Sequence, residues 1–243
     1  MIKRERADRL LVARGLFESR AQAQAAIAAG QVTADGSLVS KPSDQIPSAA
    51  VIAAQPAHPY VSRGGIKLAA ALDSFALDVG DRVCLDVGSS TGGFTEVLLA
   101  RGARHVYAVD VGSDQLHARL RGHKQVTSIE QTDVRDLDTS QLPEPPDFAA
   151  IDVSFISLKL VLLHVSRLLR PTATLIALIK PQFEAGRRHI KKGIVRDAAV
   201  HAAICDDIAR SFADLGWRVG GQMASPILGA DGNREFFLEA QRG

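Results

Sequence analysis

A glycine-rich segment and acidic residues after apolar runs are the parts of this sequence best suited to ligand chemistry. Residues 84–95 read CLDVGSSTGGFT and contain Gly88, Gly92 and Gly93. Glycine lets a backbone turn sharply and pass close to a ligand, although a lone glycine-rich turn is usually only a tight loop. The spacing fits neither the GxGxxG of dinucleotide sites nor a P-loop, which needs Gly-Lys-Ser/Thr. A pyrophosphate ligand is therefore not expected.

The acids follow successive apolar runs. Asp110 comes about 20 residues after the glycines, where a carboxylate can accept hydrogen bonds from ribose hydroxyls. Asp133 could accept from an adenine amino group, and Asp86 could orient the loop or meet an ammonium group. Any one of these acids could simply cap a helix. Together with Asp152 they form a carboxylate rim that disfavours phosphate and favours a cationic ligand.

S-adenosylmethionine, which carries a sulfonium and an ammonium group, is the cofactor that this pattern predicts. The predicted cofactor-binding residues are Asp86, Gly88, Ser89, Ser90, Gly92, Gly93, Phe94, Thr95, Asp110, Asp133, Val134, Asp152 and Phe155.

Alternating strands and helices must position these residues. Strands are predicted at Val83–Val87, His105–Val109, Val126–Ile129, Phe148–Val153 and Thr174–Ile179, and helices at 66–77, 93–101, 113–121, 157–169 and 198–215. Two last strands, Arg218–Gln222 and Glu235–Ala240, are expected to form an antiparallel edge. The alternation predicts an α/β fold with a Rossmann-like, mostly parallel seven-stranded sheet covered on both faces. Residues 62–65 are predicted to be a turn.

The first 54 residues form a different pattern. Ser19 can cap a helix at Arg20–Ala29, with Gln22 completing a capping box. Two short strands then surround the Asp35-Gly36 turn. This helix–helix–hairpin order resembles the S4 RNA-binding domain. The predicted domains are therefore an S4-like unit at 1–55, a linker at 56–62 and a catalytic domain at 63–243.

Composition and charge exclude several classes of protein. The chain has 243 residues, 46% of them hydrophobic and 23% charged, as in ordinary globular proteins. Its two cysteines, Cys84 and Cys205, cannot form a disulfide framework or a four-ligand zinc site, so no metal is expected. Neither a secretory signal nor a membrane-spanning stretch is found, which predicts a cytoplasmic protein.

The net charge of +2 conceals an uneven distribution. Residues 1–66 carry +3, residues 180–196 carry +5 and the remainder carries −6. Two separate basic segments suit a protein that meets a polyanion, although solvated surface charge would give the same count.

Several motifs in one order make the resemblance specific over nearly the whole chain. They are Tyr60–Leu68, Asp86–Thr95, Asp152–Ser157, Ile179–Glu184, Gly193–Asp197 and Asn233–Phe237. With the S4-like unit ahead of them, they resemble the TlyA (hemolysin A) family of rRNA 2′-O-methyltransferases, which have an FtsJ-like catalytic domain. Ser89 and Glu96 stand where alanine and aspartate are common in that family. Neither difference is expected to abolish cofactor binding.

The resemblance implies a catalytic tetrad of Lys67, Asp152, Lys180 and Glu235. A ribose 2′-hydroxyl is a poor nucleophile that must lose its proton as it attacks a methyl group. Lys180 is predicted to act as the base or to orient the hydroxyl, with support from Lys67. Methylation of a base amine fits less well because residues 152–155 lack the Pro-Pro pair typical of that reaction. Cytosine C5 methylation fits less well because neither cysteine is placed as a nucleophile.

The resemblance also implies a substrate, a cytidine in 16S rRNA, 23S rRNA or both, with ribosomal subunits as partners; we expect a monomer. The predicted RNA contacts are Lys3, Arg4, Arg6, Arg14, Arg20, Lys41, Arg63, Arg187, Arg188, Lys191 and Lys192. Those at 187–192 lie in a glycine-bounded segment predicted to be a mobile loop. Two other functions stay open, namely a membrane-active hemolysin and a non-catalytic ribosome assembly factor. The first lacks a long cationic amphipathic helix, and the intact tetrad argues against the second.

Overall fold

The structure is a computed structural model that describes residues 3–229 and 231–243. The chain divides into two compact units, one ending at Pro59 and the other beginning at Tyr60. Each unit is described by itself.

The first unit contains two helices and two small sheets. Its elements are β1 (Arg4–Arg6), α1 (Ala7–Ala13), α2 (Arg20–Ala28), β2 (Val32–Ala34), β3 (Ser37–Leu38), β4 (Gln45–Pro47) and β5 (Ile52–Ala54). β1 pairs with β4, and the second sheet has the order β3-β2-β5. The two helices and the β2–β3 hairpin are as predicted. Three further strands were not predicted, because pieces of three residues are too short to show a period-2 pattern.

Local chemistry explains these boundaries. The Ser19 hydroxyl accepts a hydrogen bond from the Gln22 amide, so it caps α2 as predicted. The Gln22 side chain accepts from the Glu18 amide rather than from Ser19, so the reciprocal half of the capping box is displaced by one residue. Asp35 and Gly36 have φ values of 49° and 78°, the left-handed pair that a tight hairpin turn requires.

The second unit is built on one seven-stranded sheet. Its strands are β6 (Val83–Val87), β7 (His105–Val109), β8 (Val126–Ile129), β9 (Phe148–Ile151), β10 (Ala173–Ile179), β11 (Arg218–Ala224) and β12 (Phe236–Arg242). The sheet order is β11-β12-β10-β9-β6-β7-β8. Strands β6 to β10 run parallel, while β12 is antiparallel to both β10 and β11. The predicted mostly parallel sheet with an antiparallel edge is therefore confirmed.

Helices cover both faces of this sheet. They are α3 (Arg63–Ser74), α4 (Gly93–Ala100), α5 (Ala118–Arg121), α6 (Leu158–Leu168), α7 (Pro181–Glu184) and α8 (Ala198–Asp214). β10 is buried along its whole length and shows how the two cores are separated. Leu175 and Ile179 enter the core under α6 and α8, whereas Ile176 and Leu178 enter the core under α3 and α4. This alternation follows from the two-residue repeat of a strand.

Two local predictions are wrong, and a third segment contains short local structure within the predicted loop. The helix predicted at 113–121 is reduced to α5, because the Glu130 carboxylate accepts the amide hydrogens of Asp114, Gln115 and Leu116 and holds that segment in a loop. The turn predicted at 62–65 is the first turn of α3, with Ser62 at its N-terminal boundary. The loop predicted at 187–192 contains a short 3-10 helix, Arg187–His189, and a bridge between Lys191 and Ile194.

Candidate active site

A cavity of about 330 Å³ opens at the carboxyl edge of the parallel strands. Ligands of open α/β sheets bind at this edge. Seven predicted cofactor residues line it: Gly88, Ser90, Asp110, Asp133, Val134, Asp152 and Phe155. Further residues lining it are Val87, Val109, Val111, Gln115, Thr132, Val153, Ser154, Ile156 and Val161. Gln115 gave no signal in the sequence, since it lies in the segment predicted to be a helix.

The glycine loop passes close to the end of β9. Gly88 has a φ of +83°, and a Cβ built on it would lie 2.5 Å from the Asp152 carbonyl oxygen. No residue with a side chain fits there without moving the backbone. Ser90 is also left-handed, with a φ of 47°, and its amide donates to Asp110 Oδ2 at 2.8 Å. The loop is thereby fixed to the ends of two strands.

Asp86 lies wholly buried beneath this loop. The Thr95 hydroxyl donates to its Oδ2 at 2.6 Å, while its Oδ1 has no donor. Burial raises the pKa of Asp86 to about 7, and the neighbouring charges of Asp152 and Asp110 act in the same direction. The hydrogen bonds from Thr95 oppose the shift.

The two acids predicted to hold ribose and adenine both have partners in the protein. Asp110 Oδ1 accepts from the Gly112 amide at 2.7 Å. Asp133 forms an ion pair with Arg135 at 2.6 Å, and the hydrogen bond from Arg135 lowers the pKa of Asp133. A carboxylate offers about four acceptor sites, so each acid keeps capacity for a ligand.

Six predicted cofactor residues do not line the cavity, namely Asp86, Ser89, Gly92, Gly93, Phe94 and Thr95. Asp86 and Thr95 bond to each other, and Ser89 is buried. Phe94 belongs to the core under α3 and α4, where its ring lies 6.2 Å from that of Phe237. In this structure these residues form or support the glycine loop, and their direct contact with a cofactor stays a prediction.

The two predicted catalytic lysines each contact a predicted catalytic acid. Lys67 Nζ lies 2.5 Å from Glu235 Oε2, in a pair that is almost wholly buried. Lys180 Nζ lies 2.6 Å from Asp152 Oδ1 and donates to the Ser154 hydroxyl at 2.8 Å. Neither pair could be predicted from local periodicity. Lys67 and Glu235 are 168 residues apart, and Asp152 and Lys180 come from two different strand ends.

Strand register explains how these pairs meet. Ile179 pairs with Phe236 across β10 and β12. Lys180 directly follows the first residue and Glu235 directly precedes the second, so both leave the sheet at the same edge. Asp152 follows β9, the neighbour of β10 on its other side. Asp152, Lys180 and Glu235 therefore project from the ends of adjacent strands. Lys67, the fourth residue, is supplied by α3.

The predicted RNA contacts of the first unit mostly make internal contacts. Arg6 and Arg20 form ion pairs with the buried Asp8, and these hydrogen bonds hold the pKa of Asp8 well below its usual range. Arg4 donates to the Gln45 carbonyl, and Arg14 donates to the Ser48 and Ala50 carbonyls. Lys3 pairs with Glu5.

The remaining predicted RNA contacts divide into two groups. Arg63 donates to the Leu228 carbonyl at 2.6 Å. Arg187, Arg188, Lys191 and Lys192 are all exposed, as is Lys41 of the first unit. Their contact with RNA stays a prediction.

The residues present fit S-adenosylmethionine. The buried Asp86 Oδ1 lacks a donor, and Asp110 and Asp152 add negative charge to the same edge. An anionic ligand would be repelled here, whereas a sulfonium or ammonium group would be attracted. Gly88, Ser90 and Asp110 are placed to hold such a cofactor, with Asp133 and Val134 further along the cavity.

Two other kinds of site are absent from the described part of the chain. Among residues 3–229 and 231–243, no three His, Cys, Asp or Glu side chains are grouped so as to hold a metal ion. Within the same residues, no helix has both the length and the apolar character to cross a membrane.

Comparison with known proteins gives matches to both units. Residues 60–242 match the model of the FtsJ-like methyltransferase family, and residues 5–52 match that of the S4 domain. The YqxC protein of Bacillus subtilis, described as a candidate rRNA methyltransferase, is 46% identical over 97% of this chain and 85% of its own length.

Two further relatives agree with these matches. The 16S/23S rRNA (cytidine-2′-O)-methyltransferase TlyA of Mycobacterium tuberculosis is 42% identical over 98% of this chain and 90% of its own length. A solved structure from Streptococcus thermophilus, described as a candidate hemolysin, superposes with a TM-score of 0.79 at 41% identity. That match covers all of this chain and 90% of the other.

Proposed function

This chain belongs to the FtsJ-like methyltransferases, with an S4 domain ahead of the catalytic unit, and we propose that it methylates the ribose 2′-hydroxyl of a cytidine in ribosomal RNA. S-adenosylmethionine is its cofactor. The observation that carries the proposal is the pair of lysine–carboxylate contacts, Lys67 with Glu235 and Lys180 with Asp152, at the edge where the cofactor cavity opens. The named activity of the TlyA relative supports this substrate. A ribosomal substrate implies that the enzyme works in the cytoplasm.

When bound, S-adenosylmethionine supplies a methyl group on a positively charged sulfur. The Lys180 ammonium has three N–H donors, of which one is given to Ser154 and one faces Asp152. The third can donate to the 2′-oxygen and fix its direction of attack, while the hydroxyl proton passes to water as the oxygen takes up the methyl group. This geometry favours the orienting role of Lys180 over the role of general base.

Lys67 has a supporting place in the same reaction. Its ammonium is held by Glu235 and is about nine-tenths buried. A positive charge fixed near the 2′-oxygen stabilises the negative charge that develops there as the proton leaves. Correct alignment of the hydroxyl supplies much of the remaining rate acceleration.

Replacement of the lysines tests this mechanism. We expect Lys180→Ala and Lys67→Ala each to lower methyl transfer to ribosomal subunits by roughly 10²–10⁴-fold, the range for a positioned catalytic group. The affinity for S-adenosylmethionine, measured by calorimetry, should change far less, because neither lysine lines the cofactor cavity. The exposed Lys124 is the matched control, and Lys124→Ala should keep the wild-type rate. Wild-type rates in both lysine variants would disprove the mechanism.

The choice between the two ribosomal RNAs is a separate experiment. Ribosomal subunits whose rRNA lacks cytidine 2′-O-methylation are incubated with the protein and labelled cofactor. The positions that acquire the label are then mapped. We propose that a cytidine in 16S rRNA, 23S rRNA or both acquires the label. Label that appears only on a base, or on no RNA, would overturn the proposed substrate.

A further inference from the structure

A second cavity, of about 360 Å³, lies outside the cofactor site in the catalytic unit. Two parts of the chain form it, one between Ile194 and His201 and one that contributes Leu228, Gly232 and Arg234. Its lining residues are Ile194, Val195, Arg196, Ala198, His201, Leu228, Gly232 and Arg234. None of these residues lines the cofactor cavity.

Two arginines give this cavity its charge. Arg196 and Arg234 are both exposed, and within residues 3–229 and 231–243 neither guanidinium has an ion-pair or hydrogen-bond partner. Asp197, next to Arg196, accepts the Ala199 amide hydrogen as the N-terminal cap of α8, and Glu235, next to Arg234, is paired with Lys67. A third acid, Asp231, is exposed three residues before Arg234. The two guanidiniums are therefore free to meet an anion from solution.

A buried amide holds the two arginine segments together. Asn233 is wholly buried, its Oδ1 accepts from the Val195 amide at 3.1 Å, and its Nδ2 donates to the Gly193 carbonyl at 2.9 Å. His201 Nε2 lies 3.0 Å from the Val195 carbonyl. Because both segments are tied through one side chain, the backbone positions from which the two arginines extend are set by the fold. Two guanidiniums that line one cavity offer planar donor groups suited to the oxygens of a phosphate.

The cavity also adjoins the proposed catalytic groups along the chain. Arg234 directly precedes Glu235, the partner of Lys67. Leu228, which lines the cavity, accepts the hydrogen bond from Arg63 at the start of α3. An RNA strand whose ribose reaches the lysines would carry further phosphates past this part of the surface.

We propose that this cavity binds a backbone phosphate of the substrate RNA, with Arg196 and Arg234 as its ligands and Asn233 as the residue that positions them. The proposal rests on the proposed function, since it takes ribosomal RNA as the substrate. It adds two arginines that are not among the RNA contacts predicted from the sequence.

Binding measured as a function of salt tests the proposal in the full-length protein. Each phosphate contact contributes roughly 0.7–0.9 to the slope of log K against log salt. We expect Arg196→Gln with Arg234→Gln to weaken rRNA binding about tenfold at moderate salt and to reduce that slope by about 0.7–0.9, the contribution of one phosphate. The affinity for S-adenosylmethionine should stay at the wild-type value.

Arg167→Gln is the matched control. Arg167 is also exposed and also lines a cavity, but that cavity is formed with Leu163 and Pro171 and contains no residue of either site. We expect this variant to bind rRNA with wild-type affinity and slope.

The outcomes separate the two proposals. If the wild-type protein methylates rRNA while the double variant keeps its affinity and slope, the phosphate site is wrong and the proposed function stands. A lower affinity with an unchanged slope also overturns the phosphate assignment. If the wild-type protein neither binds nor methylates rRNA, both proposals fail. Since the replaced side chains are exposed, an unchanged melting temperature is expected and identifies the loss as one of binding.

Discussion

The Asp86 carboxyl group is the acid of the candidate site that is expected to change its protonation near neutral pH. It is wholly buried, and its pKa is raised from 3.8 to about 7, chiefly because burial disfavours the charged form. Near neutral pH the group is therefore divided between a neutral and an ionised form. Only the ionised form attracts a cationic cofactor.

We predict that Asp86 makes cofactor affinity depend on pH. As pH rises from 6 to 8 the carboxyl ionises, so S-adenosylmethionine should bind up to about tenfold more tightly on this account. The amino group of the ligand titrates in the same range, at a pKa of about 8, and opposes the trend. The measurement is therefore the difference between wild type and Asp86→Asn, in which the titration of the ligand cancels. Equal pH profiles for the two proteins would contradict the prediction.

The raised pKa of Asp86 also makes the free energy of unfolding depend on pH. We predict that stability falls as pH rises, whereas cofactor affinity increases. A carboxyl with a pKa of 3.8 when unfolded and about 7 when folded binds more protons in the folded state across that interval. The free energy of unfolding in the absence of cofactor should therefore fall as pH rises from about 4 to about 7, relative to Asp86→Asn. Denaturant unfolding at several pH values checks this.

Thr95→Val should move the pH dependence of cofactor affinity and that of unfolding to higher pH. The reason is that it removes a hydrogen bond that lowers the pKa of Asp86.

At the scale of elements, the close approach of α3 to α4 determines where the glycine loop lies. A Cβ built on Gly93 would lie 2.2 Å from the Ser62 hydroxyl and 2.9 Å from the Gly65 amide nitrogen. A Cβ built on Gly65 would in turn lie 2.3 Å from the Tyr60 ring. The start of α3 and the start of α4 therefore meet with no room for a side chain.

We predict that Gly93→Ala forces these two helices apart. Overpacking of this kind costs about 1–3 kcal/mol of stability. Because α4 continues directly from the cofactor loop, the affinity for S-adenosylmethionine should fall as well. Thermal unfolding and cofactor titration of the same variant measure the two effects.

Gly122→Ala is the matched control for that change. Gly122 has an ordinary φ of −94°, and no atom lies within 4 Å of a Cβ built on it. It should keep both the stability and the affinity of the wild type. A Gly93→Ala protein that behaves like this control would show that the helix contact does not position the loop.

Elements with strong local signals were predictable from sequence, and those fixed by distant partners were not. The five parallel strands are short, mostly apolar segments between helical patterns, and their predicted positions agree with the structure to within two residues. The 113–121 segment has helix-forming residues, but Glu130 from a later part of the chain takes its amides. The acids at the sheet edge could be predicted because each follows a strand. The role of Asn233 could not, because its partners lie about 40 residues away.

At the scale of the molecule, the two units have separate cores. The buried apolar residues of the first unit form one cluster between Ala7 and Ala50, with Ile52 and Ala54 against it. The clusters that pack against the seven-stranded sheet contain residues of the second unit only. Each unit therefore has the apolar packing that an independent fold requires. The basic charge is divided as well, since residues 1–59 carry a net +2 and residues 180–196 of the second unit carry +5.

Removal of residues 1–59 should separate RNA affinity from cofactor affinity. The cofactor cavity is lined entirely by residues after Tyr60, so the shortened protein should bind S-adenosylmethionine as the full chain does. It should lose rRNA affinity by tenfold or more, and the salt dependence of its binding should become weaker, because the exposed cations of the first unit are gone. Circular dichroism and thermal unfolding verify that the catalytic unit is folded. A folded, shortened protein that methylates ribosomal subunits with the wild-type KM would show that the S4 domain does not contribute to substrate binding, and that the basic residues at 180–196 suffice.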